Sequence, residues 1–174
     1  MQLKNTQEAL NKFGKYVIQQ SRSNLTRKKI NASKTLYNAL SYEAKEMPNS
    51  FLLKFDLGKY GAFVDEGVKG AKSTYPESIK SRFKYTGRFK SIPPKALDGW
   101  MIKKGIEGIR NEKGQFVPRK TLRFILARSI YQKGIRATMF FTTPFQKAFK
   151  DLPDDLVEAF ALDVDDLLKY TTKK

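Results

Sequence analysis

Residues 41–58 read SYEAKEMPNSFLLKFDLG, and their folding decides between an all-helical protein and one that carries a sheet. In the first run Tyr42, Ala44 and Met47 fall near one face. In the second, Phe51, Leu53 and Phe55 alternate with Leu52, Lys54 and Asp56, the period of two that sends successive side chains to opposite faces of a strand. Pro48-Asn49 between the runs is a turn signal, and Gly58 ends the second. The pattern predicts a β-hairpin over 41–47 and 50–57.

Helical patterns surround the hairpin. Over residues 2–22, Leu3, Leu10 and Val17 recur every seventh position with Phe13 on the same face, which predicts an amphipathic helix able to run to Lys28. Gly14 weakens it by about 1 kcal/mol relative to Ala. Ser33 is a candidate N-cap for a short helix ending at Leu40. Pro94 can open a short helix to Lys104. Residues 119–133 are apolar around more than half the circumference, with Leu122, Leu126, Ser129 and Ile130 on one stripe and Phe124, Ala127 and Tyr131 on another. A central buried helix, capped by Gly134, is expected there. Residues 135–143 suggest a short strand. A last helix is expected from Pro153 to about Tyr170, with Leu156, Phe160, Val164 and Leu167 as its apolar stripe and Asp154 and Asp155 in the first turn, where the helix dipole favours them. The expected fold is α+β: a small antiparallel sheet packed against a long N-terminal helix and C-terminal helices, in one domain over 1–174 with a basic loop or insertion at about 71–118.

Composition narrows the chemistry. The chain has 34 Lys and Arg against 17 Asp and Glu, a net charge of +17, which favours anionic partners. It has neither Cys nor His. That excludes thiol nucleophiles, disulfides and zinc sites built on those residues, and it removes the commonest acid–base side chain near neutral pH. Carboxylate-only metal chemistry and lysine chemistry remain open; no cofactor is expected. No apolar run approaches the roughly 18 residues of a membrane span, and the N-terminus lacks the apolar block of a signal peptide, so a soluble protein made and kept in the cytoplasm, with no membrane partner, is expected. Charge is unevenly distributed: residues 151–174 hold three Lys and seven acids, a net of −4, leaving +21 on the other 150. An acidic end on a basic body can pair with a neighbouring copy or fold back.

Two stretches carry candidate functions. Residues 71–95 set seven Lys or Arg against Glu77 alone and interleave Tyr75, Phe83, Tyr85 and Phe89. Lys80, Arg82, Lys84, Arg88 and Lys90 could neutralise phosphates while the rings stack on bases, or could meet an acidic protein surface. A merely solvated loop is the plain alternative. The second stretch is YGAFVDEGVKG, residues 60–70. A metal-dependent nuclease needs two carboxylates on one metal and a lysine beside the attacking water, and Asp56, Asp65, Glu66 and Lys69 are the right types. Lys69 follows Glu66 by three residues instead of two, which on a strand puts them on opposite sides. No phosphate-binding glycine loop is present.

The order of these pieces resembles the tail-completion, or head–tail joining, proteins of long-tailed bacteriophages. The matching residues are Leu36 and Leu40 ahead of the hairpin; Tyr60, Phe63, Asp65 or Glu66, and Gly67 after it; and Pro144, Phe145 and Ala148 at the opening of a C-terminal helix. The resemblance covers roughly residues 3–70 and 136–160. Two departures stand out: Asp-Glu-Gly-Val replaces an acid, an aromatic and Gly-Thr, and residues 71–135 exceed the usual connection. The resemblance implies a non-catalytic virion protein of the phage neck. Copies would assemble into a homo-oligomeric ring joining the neck connector to the tail tube or terminator proteins, around a channel through which DNA passes. Tyr60, Phe63, Asp65, Glu66, Gly67, Pro144 and Phe145 would then be partner-binding, with Asp65 and Glu66 as partner-facing or capping acids. On that reading Tyr60 and Phe63 pack the chain onto the sheet, and Gly67 and Gly70 turn it with positive φ. A DNA-binding protein using residues 72–95 is the alternative, and the metal-dependent nuclease a lesser one.

Overall fold

The computed structural model describes residues 3–31, 33–47, 50–86, 93–106 and 109–172. The protein is α+β, with a small antiparallel sheet packed against a long N-terminal helix and C-terminal helices. The chain divides into two compact units. Unit 1 gathers Met1–Ile30, Thr35–Gly58 and Phe140–Lys174; unit 2 gathers Asn31–Lys34 and Lys59–Met139. The whole 71–118 span, read from sequence as an insertion into one domain, falls within unit 2.

Unit 1 is built on α1 (Lys4–Arg27), which runs nearly to Lys28 as the apolar repeat allows. Its buried line runs Thr6, Leu10, Phe13, Gly14, Val17, Ile18, Ser21 and Leu25, the spacing of one helix face. A short α2 (Thr35–Ala39) leads into β1 (Ser41–Met47), which pairs antiparallel with β2 (Ser50–Asp56) from Ser41↔Asp56 to Met47↔Ser50. This is the hairpin the alternation predicts. It lies on α1, and Tyr42 comes so close to Gly14 that a Cβ there would meet the ring at Cδ2, Cε2 and Cγ. The glycine that weakens α1 by propensity is therefore what lets the sheet approach.

Below the hairpin, α6 (Thr142–Phe149) and α7 (Leu152–Thr172) close the core; the elements between lie in unit 2. Phe13, Val17 and Leu152 are buried together, with Leu53, Phe55, Phe141, Phe145, Ala148 and Leu156 packed around them. The rings meet mostly edge to face: Phe55 lies 5.3 Å from Phe141 and 5.8 Å from Phe145, and Phe13 lies 5.7 Å from Phe145. Polar side chains on α1 fasten the neighbouring backbone. Arg22 donates to the carbonyls of Tyr37 (3.2 Å) and Leu40 (2.9 Å), Asn24 to that of Phe140 (3.1 Å) and Gln7 to that of Ala44 (3.0 Å).

The first turn of α1 is capped from the far end of the chain. Asp163 of α7, only 5% exposed, accepts from the backbone N–H and side chain of both Asn5 and Thr6, at 2.7–2.9 Å. Leu3 at the N-cap position offers no side-chain oxygen, so α7 supplies what the local sequence lacks. Burial pushes the Asp163 carboxyl up, but the bonds from Thr6 and Asn5 outweigh it and hold it below its ordinary value. The cap also sets which face of α7 is inside. Leu152, Ala159 and Asp163 are buried and Leu156 and Val164 half-buried, while Phe160 and Leu167, expected in the core, stay 48% and 44% exposed.

In unit 2, α3 (Gly58–Glu66) leads to β3 (Val68–Lys69), which pairs with β4 (Gly134–Ile135); Lys69 also bridges Lys84. The strand expected over 135–143 reduces to this pair. Met139 then takes a left-handed backbone conformation (φ 48°), Phe140 is buried, and the chain enters α6. A 3-10 turn at Pro94–Leu97, α4 (Asp98–Lys103) and α5 (Arg119–Lys133) form the other part of unit 2, around buried Met101, Leu122 and Ala127. The expectation of a central buried α5 does not hold. Only Leu122 and Ala127 are buried along it, and Phe124 and Ile125 are 47% and 51% exposed, because the packed neighbours cover one face.

Candidate docking surfaces

Residues 60–70 are not a loop leaving the hairpin; their first part is α3, with Gly61 buried. The roles expected there redistribute accordingly. Tyr60 is 70% exposed, so it does not pack the chain onto the sheet. Phe63 is half exposed and lies against Phe83, 4.2 Å between ring centroids. Asp65 is 3% exposed and so is not a partner-facing acid. Its carbonyl accepts from the backbone N–H of Thr138 and Met139, both at 3.0 Å, which closes the C-terminal end of α3. Glu66 pairs with Arg82 at 3.1 Å.

Gly67 has φ +72° as expected, and it has no room for a side chain: a Cβ would sit 2.5 Å from both the Ala137 nitrogen and the Ile135 carbonyl oxygen. Gly70 is required for closeness instead of positive φ, since a Cβ there would run into the carbonyl oxygens of Gln132 and Ser73.

The segment after Gly70, read as an irregular excursion, is tied down as far as residue 86. Ser78 donates to the Ile135 carbonyl (2.7 Å) and accepts from Ala137 N–H (2.8 Å). Buried Ser81 donates to the Gly67 carbonyl (2.8 Å) and accepts from Phe83 N–H (3.0 Å). Two hydroxyls thus replace the apolar core that this polar stretch cannot supply. The fastening leaves Lys80, Arg82 and Lys84 exposed at fixed positions. Arg82 also lies over the Phe83 ring, 4.9 Å from its centroid, and Arg136 over Tyr75 at 4.7 Å. Burial pushes the Tyr85 hydroxyl up, away from ionisation. Arg88 and Lys90 lie outside the described residues.

Pro144 and Phe145 work inside unit 1. Pro144 is buried in the first turn of α6, where a missing N–H costs nothing, and Phe145 sits among Phe13, Phe55, Phe141 and Phe149. The carboxylates of the nuclease alternative are similarly employed: Asp56 accepts from Gly58 N–H at 2.7 Å, Glu66 holds Arg82 and Asp65 is buried. Among the described residues no three acids gather into a group that could hold a metal ion.

Charge separates between the units. Unit 2 holds 20 Lys and Arg against six Asp and Glu, a net of +14; unit 1 holds 14 against 11, a net of +3. Within unit 2, Pro94, Lys95, Lys120, Thr121, Arg123 and Phe124 line a largely apolar groove of 450 Å³ rimmed by cations. Arg119 and Arg123 both reach Asp98, the former at 3.0 Å, which fixes the helix that forms one wall.

Sequence reasoning missed this groove and the exposed apolar stripe on α7. Periodicity alone assigned both helices to the core; only the +21/−4 division of charge hinted at surfaces of opposite sign. Among the described residues, no helix is long and apolar enough to cross a membrane. No family model, no curated protein and no solved structure matches the chain.

Proposed function

We propose that this chain is a non-catalytic structural subunit of a phage neck, joining the capsid connector to the tail as part of a ring. The motif order from Leu36 to Ala148 suggests the family. The observation that carries the reading is the division of the chain into a nearly charge-balanced unit 1 and a unit 2 of net +14. Such a division suits a subunit whose folded body meets protein neighbours while its cationic part faces packaged DNA or an acidic protein surface. Hydrogen-bonded and buried carboxylates at 56, 65 and 66 fit a structural role better than metal-assisted hydrolysis.

Deleting the gene from its phage tests the reading. The expected result is DNA-filled capsids and free tails that fail to join, with joining restored when purified protein is added to the lysate. Normal particles from the deletion, or failure of the chain to enter virions, would overturn it.

A second reading, direct DNA binding by unit 2, is favoured by the exposed Lys80, Arg82 and Lys84, with Arg82 over the Phe83 ring. Each phosphate that is no longer neutralised should reduce the slope of log affinity against log salt by about 0.9. Substituting these three cations together with neutral residues should therefore flatten the slope by up to about 2.7. An unchanged slope would place any DNA-binding surface elsewhere.

A further inference from the structure

We propose that α7 docks, through its exposed apolar stripe and the acids beside it, into the cation-rimmed groove between Pro94–Lys95 and α5 of a second copy of this chain. This specifies the subunit contact of the ring reading and rests on that reading only for the closure of the ring.

The donor face is regular. Val157, Ala161 and Leu168 follow the i, i+4, i+11 spacing of one helix face, with half-buried Val164 at its edge, turned away from the line of buried Leu152, Ala159 and Asp163 and half-buried Leu156. Val157 is 71% exposed and Leu168 56%, with Phe160 at the edge at 48%. Asp154, Glu158 and Asp165 each precede a stripe residue by three positions, so they form a parallel acidic row along one flank. All three are exposed, and among the described residues no ion pair joins them to a cation.

The acceptor has the opposite character: an apolar floor with half-exposed Phe124, rimmed by Lys95 and Lys120, both exposed. Apolar contact supplies the attraction, and the acidic row against the cationic rim sets orientation and partner. A second copy is the occupant because the chain itself carries both complementary surfaces. The two surfaces differ, so the contact is head-to-tail, the kind that closes into rings or extends into filaments. One helix in one groove buries less than the 1,200–2,000 Å² or so of a standard interface. Single contacts should therefore be weak, and association should depend on concentration.

Charge exchange tests this on the full chain by sedimentation velocity over a hundredfold concentration range. Wild type should rise in mass with concentration. E158K/D165K should shift association to at least tenfold higher concentration, and so should K95E/K120E. An equimolar mixture should recover wild-type behaviour, because each altered helix then meets an oppositely altered groove. All substituted positions are exposed, and thermal melts check that the variants fold. A monomer at every concentration, unaltered association in either variant, or a mixture no stronger than its components would overturn the contact. If wild-type protein restores head–tail joining while the variants associate normally, the contact is wrong and the neck reading stands. If charge exchange behaves as expected but the deletion phage assembles normally, the contact stands and the neck reading falls.

Discussion

Unit 1 and unit 2 are nearly equal in length, 89 and 85 residues, yet they are held together differently. Among the described residues, unit 1 buries Leu10, Phe13, Val17, Ile18, Leu25, Leu40, Phe140, Leu152 and Ala159; unit 2 buries Val68, Met101, Leu122 and Ala127. Unit 1 is an apolar core with a ring cluster at its centre. Unit 2 relies on hydroxyl-to-backbone bonds, close glycine contacts and the Asp98 ion pairs, and it carries most of the net charge. Like charges at that density oppose compaction. On the proposed reading, unit 1 supplies the packed body and unit 2 the presented surface.

The largest effect should come from breaking unit 1 at its centre. Phe145→Ala removes a ring that touches four others and should cost about 3–4 kcal/mol, read as a lower denaturant midpoint. A loss below about 1 kcal/mol would mean that the ring cluster does not hold the unit together.

Next comes the long-range cap. Asp163→Ala leaves Asn5 and Thr6 without their acceptor and should cost about 3 kcal/mol, or roughly 6–12 °C in Tm. Because the folded carboxyl is held below its unfolded value, its contribution is full above the unfolded value of about 3.9 and is lost as pH falls through the lower folded one. Asp163→Asn should therefore be less stable at neutral pH and lose less stability on acidification than wild type. Parallel stability–pH curves would contradict the cap.

Unit 2 should break at its glycine. Gly67→Ala combines a left-handed φ with backbone on two sides and should cost about 2 kcal/mol or more, with faster amide exchange in residues 68–83 and little change in α1. The smallest effect sharpens the comparison. Propensity says that Gly14→Ala should stabilise α1 by about 1 kcal/mol. The Tyr42 ring says the opposite, and a net loss of about 1 kcal/mol is expected. A gain in Tm would show that the hairpin can move off the helix.

The two units were unequally legible in the sequence. The hairpin could be read from alternation and a turn signal, and α1 from its apolar repeat, because both are local patterns with strong periods. The 58–66 helix was hidden: Gly58 and Gly61 argue for a turn, and nothing local marks Gly61 as a buried helix position. Apolar periodicity on α5 and α7 marks faces without saying which of them find partners. For α7 the deciding residue is an acid, Asp163, whose partners at Asn5 and Thr6 lie more than 150 positions away. Pattern reading places an Asp outside. Ser78 and Ser81 escape for the same reason, since their buried hydroxyls look like loop residues until the backbone they fasten is seen. Of the residues nominated for docking, Lys80, Arg82 and Lys84 are exposed, Arg82 while paired with Glu66, whereas Pro144 and Phe145 are engaged within the fold.

The division of labour is tested most directly by hydrogen–deuterium exchange on the full chain, alone and with duplex DNA at low salt. Protection is expected across residues 72–86 of unit 2, weakening as salt is added, while α1 and α6 stay unchanged. Protection confined to unit 1 would contradict the claim that unit 2 is the presenting surface, and none at DNA concentrations that saturate a basic control protein would rule out DNA as what that surface meets.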